Sequence, residues 1–160
     1  YIADRLSEFL RARGVTSALI NLGGNVLTIG RRATDDKPWV VGIQDPEADS
    51  GVNKMTFRAE DLSVVTSGNY QRYFILNGIR YHHLLDPVTG WPVENGLDSV
   101  TILSKSSAMG DALSTACYVL GLEKGMELIG KFDGIDAVFI GSDGTVTMTD
   151  GAKALVVDEP

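Results

Sequence analysis

A chain of 160 residues with 44% hydrophobic content is long enough to bury one substantial core, and the usual size of a folding unit makes residues 1–160 a single domain. Acidic residues outnumber basic ones by 21 to 14, for a net charge of −7, and no basic run exceeds Arg31-Arg32, which argues against a nucleic-acid partner. Cys117 is the sole cysteine, which excludes an internal disulfide and a cysteine zinc site, and no stretch approaches the roughly 20 apolar residues of a membrane span.

The chain opens at Tyr1 without methionine and runs at once into a helical pattern, as expected of a processed or truncated product. Ile2, Leu6, Phe9 and Leu10 recur at helical spacing, and Gly14 follows as a cap, so 3–13 reads as an amphipathic helix. Apolar, β-branched runs at 17–22, 25–29 and 39–44 read as strands, punctuated by Gly23-Gly24, the polar stretch 31–37 and Asp45-Pro46. Residues 53–58 and 63–67 are two further strands of weaker pattern. Asn77-Gly78 supplies the two positive-φ positions of a type I′ turn, which predicts a hairpin of 70–76 with 79–85. After the loop signal Asp86-Pro87-Val88-Thr89-Gly90 come a strand at 99–103, a helix at 107–120 ended by Gly121, and a helix over 123–131. A hairpin of 136–140 with 145–149 turns at Asp143-Gly144, and 153–157 reads as a last strand. Hairpins joined to a few helices, without repeated strand–helix–strand alternation, predict an α+β fold: a mostly antiparallel sheet with helices packed on it.

Chemistry is concentrated in a few places. In the helix 107–120, Asp111 is the sole charged residue between Lys105 and Glu123, so it is expected to be buried and to need a partner. Thr115, four residues on, shares its helical face, and carboxylate with hydroxyl oxygen is magnesium ligand chemistry. Two readings stay open: a metal pair, or an aspartate hydrogen-bonded to Ser114, Thr115 or a distant arginine. His82 and His83 are the only histidines and, as strand neighbours, point to opposite faces. One of them faces the loop at Asp86-Pro87, either as a functional group or as a satisfied structural histidine. Thr66-Ser67-Gly68-Asn69-Tyr70 offers hydroxyls, a glycine that lets amides approach an anion, and an aromatic surface. Ordinary turn chemistry accounts for it equally well. The same holds for Gly23-Gly24-Asn25, which fits neither a dinucleotide fingerprint nor a Walker loop.

In order, Tyr1-Ile2-Ala3-Asp4-Arg5, Ile20-Asn21-Leu22-Gly23-Gly24-Asn25, Trp39 to Pro46, Thr66 to Tyr70, His83-Leu84-Leu85-Asp86-Pro87 with Gly90, and Asp111 to Ala116 resemble the ApbE family of FAD:protein FMN transferases, once known as thiamine-biosynthesis lipoproteins. The resemblance implies a magnesium-dependent enzyme that cleaves FAD, releases AMP and attaches FMN to a threonine of a target flavoprotein. Alternatives within it are an FAD pyrophosphatase giving FMN and AMP, and a flavin-binding module without chemistry. It further implies Asp111 and Thr115 as magnesium ligands and His83 as the base or orienter at the attacking hydroxyl. Ser67, Gly68, Asn69, Tyr70 and Asp86 would belong to the flavin nucleotide site. Family members run to about twice this length, so the remaining metal ligand and part of the flavin site are expected in an amino-terminal half. A lipid anchor outside this chain, and a place outside the cytoplasm at the bacterial membrane, are implied in the same way.

Overall fold

The computed structural model describes residues 1–49 and 51–157. In chain order its elements are α1 (Ile2–Arg11), β1 (Ala18–Asn21), β2 (Asn25–Ile29), β3 (Trp39–Gln44), β4 (Asn53–Ala59), β5 (Ser63–Gly68), β6 (Tyr73–Leu76) and β7 (Ile79–His82). There follow β8 (Leu97–Ser104), α2 (Ser107–Leu120), α3 (Leu122–Ile129), β9 (Asp136–Gly141), β10 (Val146–Met148) and α4 (Asp150–Leu155). The expected α+β class holds. A six-stranded sheet of order β1-β2-β5-β8-β9-β10 is antiparallel at every pairing, and β3-β4 and β6-β7 form two separate hairpins.

Side chains alternate across the large sheet with the period of two that a strand imposes, and both faces are covered. On one face Ile20, Leu27 and Ile29 meet Ala3 and Leu10 of α1, while Val100, Ile102, Ala137 and Phe139 meet Leu113, Cys117 and Tyr118 of α2 and Ile129 of α3. On the other face Leu103, Val138 and Ile140 pack with Ile43 and Phe57 of the β3–β4 hairpin and Ala152 of α4, and Val64 packs with Val41 and Ala59. Burial on both sides explains why Ala137 to Ile140 of β9 read as an unbroken apolar run rather than an alternating one.

Helix α2 is the central piece of the helical layer, and both its ends are defined. At the start the Ser106 hydroxyl accepts from the Met109 amide, 3.3 Å away. The Asp4 carboxylate, from the other end of the chain, accepts from the amides of Ser107 and Ala108 at 2.7 and 2.8 Å. Three amides that have no partner within the helix are thereby satisfied by negative or partly negative oxygens. At the far end Gly121 takes φ 81°, which a side chain would resist, and the chain turns directly into α3. Between the ends, Gly110 brings the helix close to the sheet: a Cβ there would lie 3.0 Å from Val65 Cγ2 and 3.2 Å from Ser104 Oγ.

Two expectations are corrected. Residues 153–157 do not form a strand: 150–155 is helical, and Val156 makes only an isolated bridge to Phe57. The Thr149 side chain caps this helix by accepting from the Ala152 amide, with Asp150 in the first turn, and that start signal outweighs the apolar run Ala154-Leu155-Val156-Val157. The Asn77-Gly78 turn is present, with φ of 50° and 79°, but its strands are shorter than expected, at 73–76 and 79–82. Tyr70 has already left the strand direction to pack beneath Gly68, whose added Cβ would stand 2.6 Å from the Tyr70 ring.

Two substitutions test this packing by denaturant unfolding. Asp4→Ala removes the second cap of α2 and should cost about 1–2 kcal/mol. Gly125→Ala places a methyl 2.8 Å from the buried Phe139 ring. The overpacking, about 1–3 kcal/mol, should exceed the roughly 1 kcal/mol of helix propensity gained. A stabilised Gly125→Ala variant would contradict the tight α3–β9 contact.

Candidate functional site

The outward turn of α2 and the end of β5 form the most chemically loaded part of the molecule. Gly110, Leu113, Ser114, Cys117 and Tyr118 face the sheet, which turns Asp111, Ala112 and Thr115 to the outside. The expectation of a buried Asp111 is therefore overturned. The helix lacks charge because its exposed strip is built from small and apolar residues such as Ala112, Met109 and Leu120, not because it is enclosed on every side. Among the described residues no ion pair occupies the Asp111 carboxylate.

Ser67, at the end of β5, points into this helix. Its Oγ lies 2.9 Å from Ser114 Oγ and 3.0 Å from Thr115 Oγ1. Ser114 is fully buried and donates to the Asp111 carbonyl at 3.1 Å. One strand residue and one helical turn thus share a continuous set of hydroxyls beneath an exposed carboxylate.

The next residues of the same segment go elsewhere. The Asn69 side-chain amide donates to Asp98 Oδ1 at 2.9 Å and to the Leu97 carbonyl at 3.3 Å, and Arg80 donates to Asn69 Oδ1 at 3.4 Å. Tyr70 crosses to the opposite face of the sheet. There it lines a cavity of about 290 Å³ with Asn21, Gln44, Asn53, Thr66 and Gln71. Its hydroxyl is buried without a hydrogen-bond partner among the described residues, and burial pushes the phenol pKa up. Ser67 and Tyr70 consequently serve different faces of the fold, with the buried Gly68 between them.

The two histidines differ in surroundings, His82 as the last residue of β7 and His83 just beyond it. His82 is 8% exposed, and its Nδ1 accepts from the Leu84 amide at 3.3 Å. Its proton therefore sits on Nε2, which donates to the Val93 carbonyl at 3.2 Å. Burial pushes its pKa down, and its ring meets Tyr118 edge-on at 5.9 Å. His83 is exposed, and its Nδ1 lies 3.2 Å from the Arg72 carbonyl. A carbonyl only accepts, so Nδ1 carries the proton and the exposed Nε2 keeps a lone pair. Asp86 spends Oδ1 on the amides of Val88 and Thr89, at 2.7 and 3.3 Å, and organises its own loop.

The structure thus brings together Ser67, Ser114, Thr115 and Asp111. It keeps His83 and Asp86 on a separate loop, which no hydrogen bond among the described residues joins to that cluster. No three histidine, cysteine, aspartate or glutamate side chains are grouped so as to hold a metal ion among the described residues. A cation here would take the Asp111 carboxylate and the Thr115 hydroxyl and complete its shell from phosphate, water or other chain. Such a sparse oxygen set fits magnesium, which commonly keeps few protein ligands. Sequence reasoning missed Arg80 and Asp98. The one available signal was that 69–85 holds two arginines and no acid in a chain of net charge −7.

A family profile described as the ApbE family matches residues 1–139. The FAD:protein FMN transferase of Treponema pallidum is 42% identical over 158 residues, a match covering 94% of this chain and 44% of that protein. The same-named protein of Klebsiella pneumoniae is 45% identical over 140 residues, covering 88% and 42%. The crystal structure of the ApbE protein of Thermotoga maritima superposes with a TM-score of 0.85 at 31% identity, covering 97% of this chain and 50% of its own. The Pseudomonas stutzeri flavinyl transferase ApbE, in its apo form, gives a TM-score of 0.77 at 37% identity, covering 98% and 49%. The chain accordingly spans about half the length of these relatives. With the profile matched from Tyr1 to Phe139 and the fold shared over nearly every residue, the chain belongs to the ApbE family.

Proposed function

We propose that this chain supplies the carboxy-terminal half of the active site of an FAD:protein FMN transferase. The observation that carries the reading is the outward-facing pair Asp111 and Thr115 on α2, backed by the Ser67–Ser114 hydroxyls, in a chain whose relatives bear that name. In the proposed reaction the hydroxyl of an acceptor threonine attacks the phosphorus on the FMN side of the FAD pyrophosphate. A new phosphorus–oxygen ester forms, the pyrophosphate bridge breaks, and AMP departs with the bridging oxygen.

Asp111 and Thr115 would hold the magnesium ion, which when bound neutralises charge on the pyrophosphate oxygens. His83 receives the proton of the attacking hydroxyl at Nε2, the nitrogen left free by the Nδ1 bond to the Arg72 carbonyl. That bond also fixes the ring's tautomer before substrate arrives. Ser67 and Asn69 stand at the edge of this face. Tyr70 contributes from the other side of β5, where the Asn21, Gln44, Asn53 and Gln71 amides offer hydrogen bonds without charge to a heterocycle. A place outside the cytoplasm on a lipid anchor belongs to the same reading and rests on the family resemblance alone.

Two sets of variants, made in the protein at its natural full length, check the assignment. Each is read with FAD, magnesium and a candidate acceptor, as AMP release and as flavin fluorescence that survives a denaturing gel. Asp111→Asn should lower FAD cleavage by at least about 100-fold, because the charge that draws the cation is gone. Its unfolding free energy should stay within about 0.5 kcal/mol of wild type, as for an exposed residue. Normal turnover by this variant would refute the metal assignment. His83→Ala should lower transfer by about 10²–10⁴-fold without loss of stability. His82→Ala should instead lower stability, since it removes a ring bonded to Val93 and packed on Tyr118. Equal loss of transfer in stable forms of both would remove His83 from the base role. AMP release without protein-bound flavin would identify a pyrophosphatase.

A further inference from the structure

We propose that Ser67 is a positioning residue, which holds the hydroxyl proton of Thr115 inward so that the lone pairs of Thr115 face outward beside the Asp111 carboxylate. The inference rests on the reading of Asp111 and Thr115 as cation ligands and adds a device that neither residue supplies by itself.

The direction of each hydrogen bond follows from counting protons. A serine or threonine hydroxyl has one proton to donate. Ser114 Oγ is 3.1 Å from the Asp111 carbonyl, which can only accept, so the Ser114 proton is committed there. The contact of 2.9 Å between Ser67 and Ser114 must then be donated by Ser67. With the Ser67 proton also spent, the contact of 3.0 Å between Ser67 and Thr115 must be donated by Thr115. The result is a one-way chain: Thr115 to Ser67, Ser67 to Ser114, Ser114 to the Asp111 carbonyl. One backbone carbonyl sets the orientation of three hydroxyls.

The chain matters because a helical threonine ordinarily has another choice. Its hydroxyl can donate to the carbonyl four residues back, which for Thr115 is that of Asp111. Ser114 already uses that carbonyl, and Ser67 offers the replacement acceptor. Without Ser67 the Thr115 hydroxyl can rotate, and its proton can point to the side where Asp111 stands. A hard cation binds an oxygen lone pair and is repelled by a proton aimed at it, so an unfixed hydroxyl must be reoriented when the ion arrives. Ser67 would act on a bound cation only through this orientation of Thr115. Its origin on β5 also ties the ligand turn of α2 to the rigid sheet.

Magnesium binding to the full-length protein with FAD, followed by calorimetry, tests the device in a double-mutant cycle. Ser67→Ala should weaken magnesium binding by about 10-fold or more, the usual effect of losing a group that orients a metal ligand. Thr115→Ala should weaken it as well. The double variant Ser67→Ala/Thr115→Ala should bind magnesium no more weakly than Thr115→Ala, because Ser67 then has no hydroxyl left to orient. The same loss from Ser67→Ala in both backgrounds would overturn the proposal and show that Ser67 acts directly on ligand. Unchanged binding in Ser67→Ala, with Asp111→Asn and Thr115→Ala both impaired, would overturn the proposal and leave the metal reading intact. Unchanged binding in Asp111→Asn and Thr115→Ala would overturn both.

A second measurement needs no metal. Melting temperatures of Ser67→Ala, Ser114→Ala and their double variant, taken in chelator, should be non-additive, because both substitutions break one chain. Strict additivity would overturn the chain itself.

Discussion

The close contact of α2 with β5 and β8 is the constraint on which the rest of the site depends. Gly110 allows it by having no side chain to meet Val65 and Ser104. At that separation the short hydroxyls of Ser67 and Ser114 reach one another at 2.9 Å, a bond that a wider gap would hand to water. The axial position of the helix is equally determined, since Asp4 holds its first amides and Gly121 ends it. Asp111 and Thr115 are thus displayed on a helix fixed in three directions. For the proposed reaction, that is the preorganisation required of a site in which positioning and charge neutralisation would supply most of the catalysis.

The sheet divides the functional groups as firmly as it holds them. Strand geometry sends Ser67 to the helical face and Thr66 to the face of the β3–β4 hairpin, where Thr66 Oγ1 meets Thr101 Oγ1 at 2.8 Å. Tyr70 joins the second face, so the short segment from Thr66 to Tyr70 reaches both sides of the sheet end. In the proposed function, FAD would use both, with its phosphates on one face and a ring on the other. The neutral amides around Tyr70 and the carboxylate and hydroxyls around Ser67 suit those two parts respectively.

Much of this was legible in the sequence, and the failures have physical causes. The end of α2 was readable because Gly121 punctuates an apolar run, and the hairpin turn because Asn77-Gly78 accepts positive φ at both positions. The helix α4 was missed because the cap at Thr149 is one residue, whereas the apolar run behind it is several. The exposure of Asp111 was missed because lack of charge reports what a helix avoids, not which side of it is covered. The bond from Asp4 to Ser107 spans 103 positions, and no local pattern announces it. The choice between His82 and His83 rests on the family motif; among the described residues the His82 ring spends both nitrogens on backbone, whereas the His83 ring bonds backbone through Nδ1 alone.

The central claim is that Asp111 and Thr115 present a cation-binding surface to a flavin pyrophosphate. Its most direct test is a crystal structure of the full-length protein with FAD and manganese in place of magnesium, read by anomalous scattering from the metal. The account predicts a metal peak bonded to the Asp111 carboxylate and the Thr115 hydroxyl, with pyrophosphate oxygens in the same shell. A bound FAD whose metal lies elsewhere, with Asp111 and Thr115 contacting only water, would contradict it.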